Sequence, residues 1–217
     1  MIVDLHLRGN LVIIIGSGKE GIKKINLLLK QDCKILVISK SSNKQIEKLV
    51  KSGKIQFKKL KLKNADFISK YKPFLVMATT NDKTLNEKIV KKAKKMKLLA
   101  YASDSPEISD FAQTSTINID DAVQIAISTY GSSPVMAKKI KIKAENFFKK
   151  NISKFDINQI QLQKFARNEA KHKLLTSSDR KEFLYSIIND KHVKELLKDG
   201  KYKSAQTKVK KMLREWS

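Results

Sequence analysis

The hydrophobic positions fall into two rhythms. In the first half of the chain, short unbroken apolar runs alternate with stretches whose apolar residues recur every three or four positions. Val12–Ile15, Lys34–Ser39 (KILVIS), Ile55 with Phe57, Pro73–Ala78 (PFLVMA) and Leu98–Ala102 (LLAYA) read as five strands. The unbroken ones have the pattern of strands buried on both faces. Between them, three helices are marked by Ile22, Ile25, Leu28 and Leu29, by Asn43–Ser52, and by Leu85, Ile89 and Ala93 within Asp82–Lys97. Residues 2–9 offer a short leading segment. The alternation predicts an α/β fold: a doubly wound, Rossmann-type parallel sheet with helices on both faces.

The rhythm changes after Phe111. Thr114–Ile119 and Val123–Thr129, separated by Asp120 and Asp121, predict an antiparallel pair. Ser133 and Pro134 then suit the cap and first turn of a helix running to Lys150. From Asn151 the pattern is helical: Ile157–Leu175, Asp179–Ile188, Lys191–Lys198 and Tyr202–Glu215. Asp179 and Glu182 have capping-box spacing, and Gly200 suits a C-cap. Phe183, Leu184, Ile187, Ile188, Val193, Leu196 and Leu197 are expected to face inward.

Where the first strand meets the first helix, Gly16-Ser17-Gly18-Lys19-Glu20-Gly21 completes a G-x-G-x-x-G. In this strand–turn–helix setting the motif points to a dinucleotide. Gly16 permits the tight turn, Gly18 lets a pyrophosphate approach the backbone, and Gly21 lets helix and strand pack closely. The helix start offers its free N–H groups to the anion. The site is expected outside the carboxyl ends of the strands, among Gly16–Gly21, Ser39–Ser42 and Thr79–Asn81. Ser39 and Lys40 are then placed near the adenosine ribose, and Thr79, Thr80 and Asn81 near the nicotinamide half. No carboxylate stands at the end of the second strand, so NAD and NADP both remain open. Asp104, after the fifth strand, falls at the same edge. It is a candidate for proton transfer during hydride transfer, or else a turn aspartate in an Asp-Ser-Pro sequence. The expected division is a dinucleotide-binding domain over 1–112, a small β region with its connecting helix over 113–150, and a helical domain over 151–217. Pairing with a second subunit would hide the edges of the β region.

Charge changes this picture little. The 217 residues carry a formal net charge of +25, which suits an anionic partner. Yet only Arg8, Arg167, Arg180 and Arg214 are arginines, so the excess is lysine, as on solvated helix faces. That argues against nucleic acid as the partner. Cys33 is the single cysteine, which excludes an internal disulfide and suits a reducing cytoplasm. The first residues lack the apolar core of a signal peptide, and no apolar run is long enough to span a membrane. His6, His172 and His192 have no metal-ligand spacing, so no metal site is expected.

Several stretches occur together in an order that resembles the precorrin-2 dehydrogenase module of siroheme synthesis, alone or as the N-terminal part of siroheme synthase. They are Asp4–Gly9 (DLHLRG), the GSGKEG turn with Lys23 and Lys24, and Ala78-Thr79-Thr80-Asn81-Asp82 with Asn86. Asp104, Pro106 and Phe111 follow, then Ala126–Ala137 and the helix DRKEFLYSIIND. The resemblance covers essentially the whole chain. It implies a homodimer that oxidises precorrin-2, an anionic tetrapyrrole, to sirohydrochlorin. A hydride goes to NAD, and Asp104 acts as general acid/base. It places Ser128, Thr129, Tyr130, Gly131 and Ser133 against the substrate. In bifunctional members the same module inserts ferrous iron, as substrate, into sirohydrochlorin. Here Tyr130 stands where the family has a glycine, and Ala112–Thr116 lacks the family's usual apolar and proline residues, so the chelatase activity stays open. The rival reading is a non-catalytic nucleotide sensor built on the same fold.

Overall fold

The computed structural model describes residues 2–216, which divide after Gln113 into two compact units. The first contains β1 (Leu11–Ile15), α1 (Lys19–Leu28), β2 (Lys34–Ser39), α2 (Lys44–Lys51) and β3 (Gln56–Lys59). It continues with α3 (Phe67–Tyr71), β4 (Leu75–Ala78), α4 (Lys83–Lys95), β5 (Leu99–Ala102) and a 3-10 turn at Pro106–Ile108. All five strands are parallel, in the order β3-β2-β1-β4-β5. The winding reverses between β3 and β4, so right-handed crossovers put the early and late helices on opposite faces.

Successive strand residues point to opposite faces, so each unbroken run serves two cores. Ile13, Ile15, Leu36 and Ile38 pack with Ile68 of α3 and with Leu85, Ile89, Val90 and Ala93 of α4. Val12, Ile14, Ile35 and Val37 pack with Ile25 and Leu28 of α1 and Ile46 of α2. Each such side chain contributes about 1.5–3 kcal/mol when fully buried. The β5 edge is covered by its own following loop. Ala102 N–H donates to Ser109 Oγ and Ala100 N–H to Asp110 Oδ2, both at 2.9 Å. Residues 2–9 add no strand, although Leu7 is buried and Gly9 N–H donates to the Asp32 carbonyl at 2.9 Å.

The second unit opens with the antiparallel pair β6 (Ser115–Ile119) and β7 (Val123–Ile127). Asp120 and Asp121 both adopt positive φ, 50° and 51°, as the tight turn of a twisted hairpin requires. Asn118 Oδ1 accepts the Asp121 N–H at 3.0 Å and holds that turn. Five helices follow: α5 (Pro134–Asn151), α6 (Lys154–Ala170), α7 (Ser177–Asn189), α8 (Lys191–Lys198) and α9 (Tyr202–Arg214). Ser133 caps α5 as expected, and Gly200, at φ 71°, follows α8.

Three expectations for this unit are corrected. The helix expected from Ile157, α6, begins earlier, because Ser153 and Asp156 form a reciprocal capping box. It also ends at Ala170, leaving Leu175 outside it and 90% exposed. Asp179 and Glu182 are no capping box. Thr176 is the cap, its Oγ1 accepting the Asp179 N–H at 3.0 Å, so Asp179 lies in the first turn of α7. Ile188 does not face inward. Phe183 and Ile187 take the buried stripe, packing with Val193 and Leu197 of α8 and Val209 of α9, and Ile188 is left on the exposed side.

Candidate functional site

The strand ladder continues past the strands and aligns the loops that follow them. Gly16 N–H donates to Ile38 O, Thr79 N–H to Ile15 O and Ser103 N–H to Ala78 O, at 2.9, 2.9 and 3.0 Å. Gly16, Ser39, Thr79 and Ser103 therefore share the carboxyl edge of the sheet. A cavity of about 600 Å³ opens there. Of the expected site residues, Gly16, Ser17, Gly18, Ser39, Lys40, Thr79, Thr80 and Asn81 line it.

Lys19, Glu20 and Gly21 form the first turn of α1 beside the cavity. Glu20 pairs with Lys23 at 2.6 Å, and this hydrogen bond holds its carboxyl below the usual range. The three glycines differ in what demands them. Gly16 has φ 107°, and an added Cβ would stand 2.8 Å from the Thr79 carbonyl oxygen. A Cβ on Gly21 would collide with the Gly16 carbonyl oxygen. A Cβ on Gly18 would meet nothing within 4 Å. Gly18 is thus open toward the cavity, a cradle that a side chain would fill. It caps α1 without any side-chain hydrogen bond, whereas Asn43, Asp82 and Ser133 cap α2, α4 and α5 with theirs. The first-turn N–H groups of α1 are left for an anionic ligand, so the residues fit a dinucleotide pyrophosphate.

The loops around the cavity are tied together. Ser17 Oγ lies 2.6 Å from the Ser41 carbonyl oxygen and 2.9 Å from Ser39 Oγ, and Asn43 Nδ2 donates to the Ser17 carbonyl at 2.9 Å. Lys40 and Lys61 line the end nearer β2 and β3. Among the described residues Asp82 is the one acidic side chain lining the cavity, and its Oδ1 is engaged in capping α4 through Leu85 N–H at 3.0 Å. The loop Leu60-Lys61-Leu62 and the cap Asn43 were missed by sequence reasoning. Alternating LKLK after a strand reads as more strand, and nothing in it marks a cavity wall.

Asp104 follows β5 at this edge but is not among the lining residues. Its Oδ1 accepts from Asn86 Nδ2 at 3.0 Å. Its Oδ2 is shielded from solvent and has no hydrogen-bond partner. Asn86, fully buried, also binds Thr80, so one amide joins Asp104 to the cavity wall.

Ser128, Thr129, Tyr130, Gly131 and Ser133 lie in the second unit, in the connection from β7 to α5. Thr129 Oγ1 bonds Ser133 through its carbonyl and N–H at 3.1 and 3.2 Å, and Ser133 Oγ caps α5. Ser128 Oγ accepts the Tyr130 N–H at 3.1 Å. Tyr130 is 92% exposed with φ 52°, a left-handed conformation that suits glycine. Among the described residues no cluster of three His, Cys, Asp or Glu side chains forms a metal site, and no helix is long and apolar enough to cross a membrane.

A family model described as putative NAD(P)-binding matches residues 3–115. The putative precorrin-2 dehydrogenase of Methanocaldococcus jannaschii is 30% identical over 203 residues, covering 89% of this chain and 92% of that protein. The chain belongs to the siroheme synthase and precorrin-2 dehydrogenase family. Siroheme synthases of this family match as well. The one from Actinobacillus succinogenes is 27% identical over 97% of this chain and 42% of its own length. The one from Vesicomyosocius okutanii is 33% identical over 62% of this chain and 28% of its own. The chain thus spans well under half the length of the siroheme synthases it matches. Among solved structures, SirC, a precorrin-2 dehydrogenase, shares the fold with a TM-score of 0.68. Its identity is 22%, and the match covers 97% of this chain and 99% of that one. The family's cofactor class, NAD(P), agrees with the open glycine turn and the uncapped α1.

Proposed function

We propose that this chain is an NAD-dependent precorrin-2 dehydrogenase, converting precorrin-2 to sirohydrochlorin in siroheme biosynthesis. The observation that carries the reading is the match, over 89% of this chain, to the Methanocaldococcus jannaschii protein named a putative precorrin-2 dehydrogenase. The oxidation removes a hydride and a proton from the macrocycle, and NAD supplies the hydride acceptor. Gly16, Ser17, Gly18 and Lys19 hold the pyrophosphate with Glu20 and Gly21 completing the turn. Ser39 and Lys40 flank the adenosine ribose, and Thr79, Thr80 and Asn81 the nicotinamide half. Asp104 handles the proton. Ser128, Thr129, Tyr130, Gly131 and Ser133 face the tetrapyrrole, whose carboxylates suit the +25 charge.

The chain works as a homodimer in the cytoplasm. In support, α5 leaves Val135, Met136, Ile142 and Phe147 exposed, a face that a second copy would cover. Ferrous iron is a second substrate if the module also completes siroheme.

Anaerobic incubation with precorrin-2 and NAD, followed at the absorbance of sirohydrochlorin, tests the reading. Asp104→Ala is expected to keep the fold and NAD binding and to lower kcat at least 100-fold. Near-normal rates in that variant would remove Asp104 from the chemistry. A protein that binds NAD or NADP but yields no sirohydrochlorin is a sensor instead. Ferrous iron added afterwards must give the siroheme spectrum faster than an enzyme-free control for the chelatase to stand.

A further inference from the structure

We infer that Asn86 decides which oxygen of Asp104 handles the proton, and so is a positioning residue for the oxidation proposed above, on which this inference rests. Asn86 sits in the first turns of α4 with no solvent exposure. Its amide is fully used. Oδ1 accepts from Thr80 N–H at 3.3 Å and from Thr80 Oγ1 at 2.7 Å. Nδ2 donates to the Thr80 carbonyl at 2.9 Å and to Asp104 Oδ1 at 3.0 Å. An asparagine has two N–H donors and two acceptor positions, and all four are engaged.

The orientation of that amide is set by chemistry rather than by shape. Oxygen and nitrogen of an amide look alike, and only the partners distinguish them. Here the partner is the Thr80 backbone, whose N–H can only donate and whose carbonyl can only accept. A flipped amide would set N–H against N–H and oxygen against oxygen. The NH2 group is therefore the end that faces Asp104. It follows that Asp104 Oδ1 is an acceptor and carries no proton toward Asn86.

Because a carbonyl oxygen accepts better than a hydroxyl oxygen, the Asn86 N–H favours Oδ1 as the carbonyl and Oδ2 as the oxygen that carries a proton. That is the atom shielded from solvent and left without a partner. A carboxylate serving only as a turn residue satisfies both oxygens, because an unpaired buried oxygen is costly. Leaving one oxygen bonded and the other empty gives a single, oriented position for a proton. Because Thr80 also lines the cavity, the same amide ties that position to the wall where the cofactor is placed.

Asn86→Asp keeps the shape and the oxygen that accepts from Thr80. It replaces the NH2 donor by an oxygen facing Asp104 Oδ1 and the Thr80 carbonyl. It is assayed beside Asp104→Asn and the double variant, with precorrin-2 and NAD. The expected result is a kcat at least 30-fold below wild type, with NAD affinity within threefold. In the Asp104→Asn background the same change should alter kcat by less than twofold, because the residue it acts through is already disabled. Wild-type-like kcat in Asn86→Asp, or losses that multiply in the double variant, would overturn the inference while leaving the dehydrogenase reading intact. Failure of wild-type protein to form sirohydrochlorin overturns both. If Asn86→Asp does not fold, side-chain amide NMR of the wild type against Asp104→Ala decides. One Asn86 Nδ2 proton should shift and the other stay, and two unmoved protons overturn the inference.

Discussion

At Gly21 an added Cβ would run into the Gly16 carbonyl oxygen, whereas at Gly18 it would meet no atom within 4 Å. The two glycines of one motif therefore differ in what demands them: the fold requires Gly21, whereas Gly18 is open, as the proposed pyrophosphate contact needs. Gly21→Ala is expected to cost about 2 kcal/mol or more of stability, because backbone must move to admit the methyl group. Gly18→Ala should leave the melting temperature within a degree or two and weaken NAD(P) binding at least tenfold. Thermal melts and nucleotide titrations on the two variants check this. Equal effects on stability would mean that Gly18 is structural too. Lys24 also departs from expectation at this scale. The lysine excess reads as solvated, yet Lys24 is only 6% exposed, with Nζ 4.5 Å above the Tyr101 ring and bonded to Gln113. Its long stem packs while the charge finds an aromatic face.

At the scale of elements, helix starts decide more than helix lengths. Ser153 and Asp156 cap α6 reciprocally, and the Ser153 hydroxyl, then its N–H, hold the Asp156 carboxyl below its usual range. A lowered folded-state pKa stabilises the fold above the ordinary carboxylate range, and the benefit is lost as pH falls through the lowered value. Ser153→Ala is expected to cost about 1 kcal/mol near neutral pH. The gap in melting temperature between variant and wild type should narrow below pH about 4, where carboxylates take up protons. A gap that does not change with pH would mean that Asp156 contributes nothing through its charge. Asp179 and Glu182 have the same three-residue spacing without the role, because Thr176 lies three residues before Asp179 and takes the cap first. Spacing nominates a cap, and the path of the incoming chain selects it.

For the whole molecule, the exposed apolar face of α5 carries the prediction. Phe147 is 61% exposed, and Val135 76%, on a helix that also packs Phe148 and Ala144 against β6 and β7. In the proposed homodimer this face meets its copy. Light scattering should give twice the chain mass of 24.8 kDa, and Phe147→Glu should return it to one chain without lowering the helical content. A wild-type protein that runs as a single chain would end the homodimer reading.

The five parallel strands, the glycine turn and the main helices of the first unit were legible because their signals are local and periodic. Val12–Ile15 and Leu75–Ala78 are unbroken because both their faces are buried, and that alone marks central parallel strands. The G-x-G-x-x-G marked the tight turn between β1 and α1, since only glycine tolerates φ 107° at Gly16 and the contact at Gly21. The sequence placed Asp104 at the carboxyl edge and named Asn86 only within a motif, without bringing the two into contact. Their hydrogen bond joins residues 18 positions apart on different elements, and only the packing of α4 beside β5 brings them to 3.0 Å. The five-residue α3, the covering of the β5 edge by Ser109 and Asp110, and the exposure of Ile188 were likewise decided by tertiary structure. A helix shorter than two turns has no period to read. Whether a side chain covers an edge or faces solvent depends on which neighbour reaches it first.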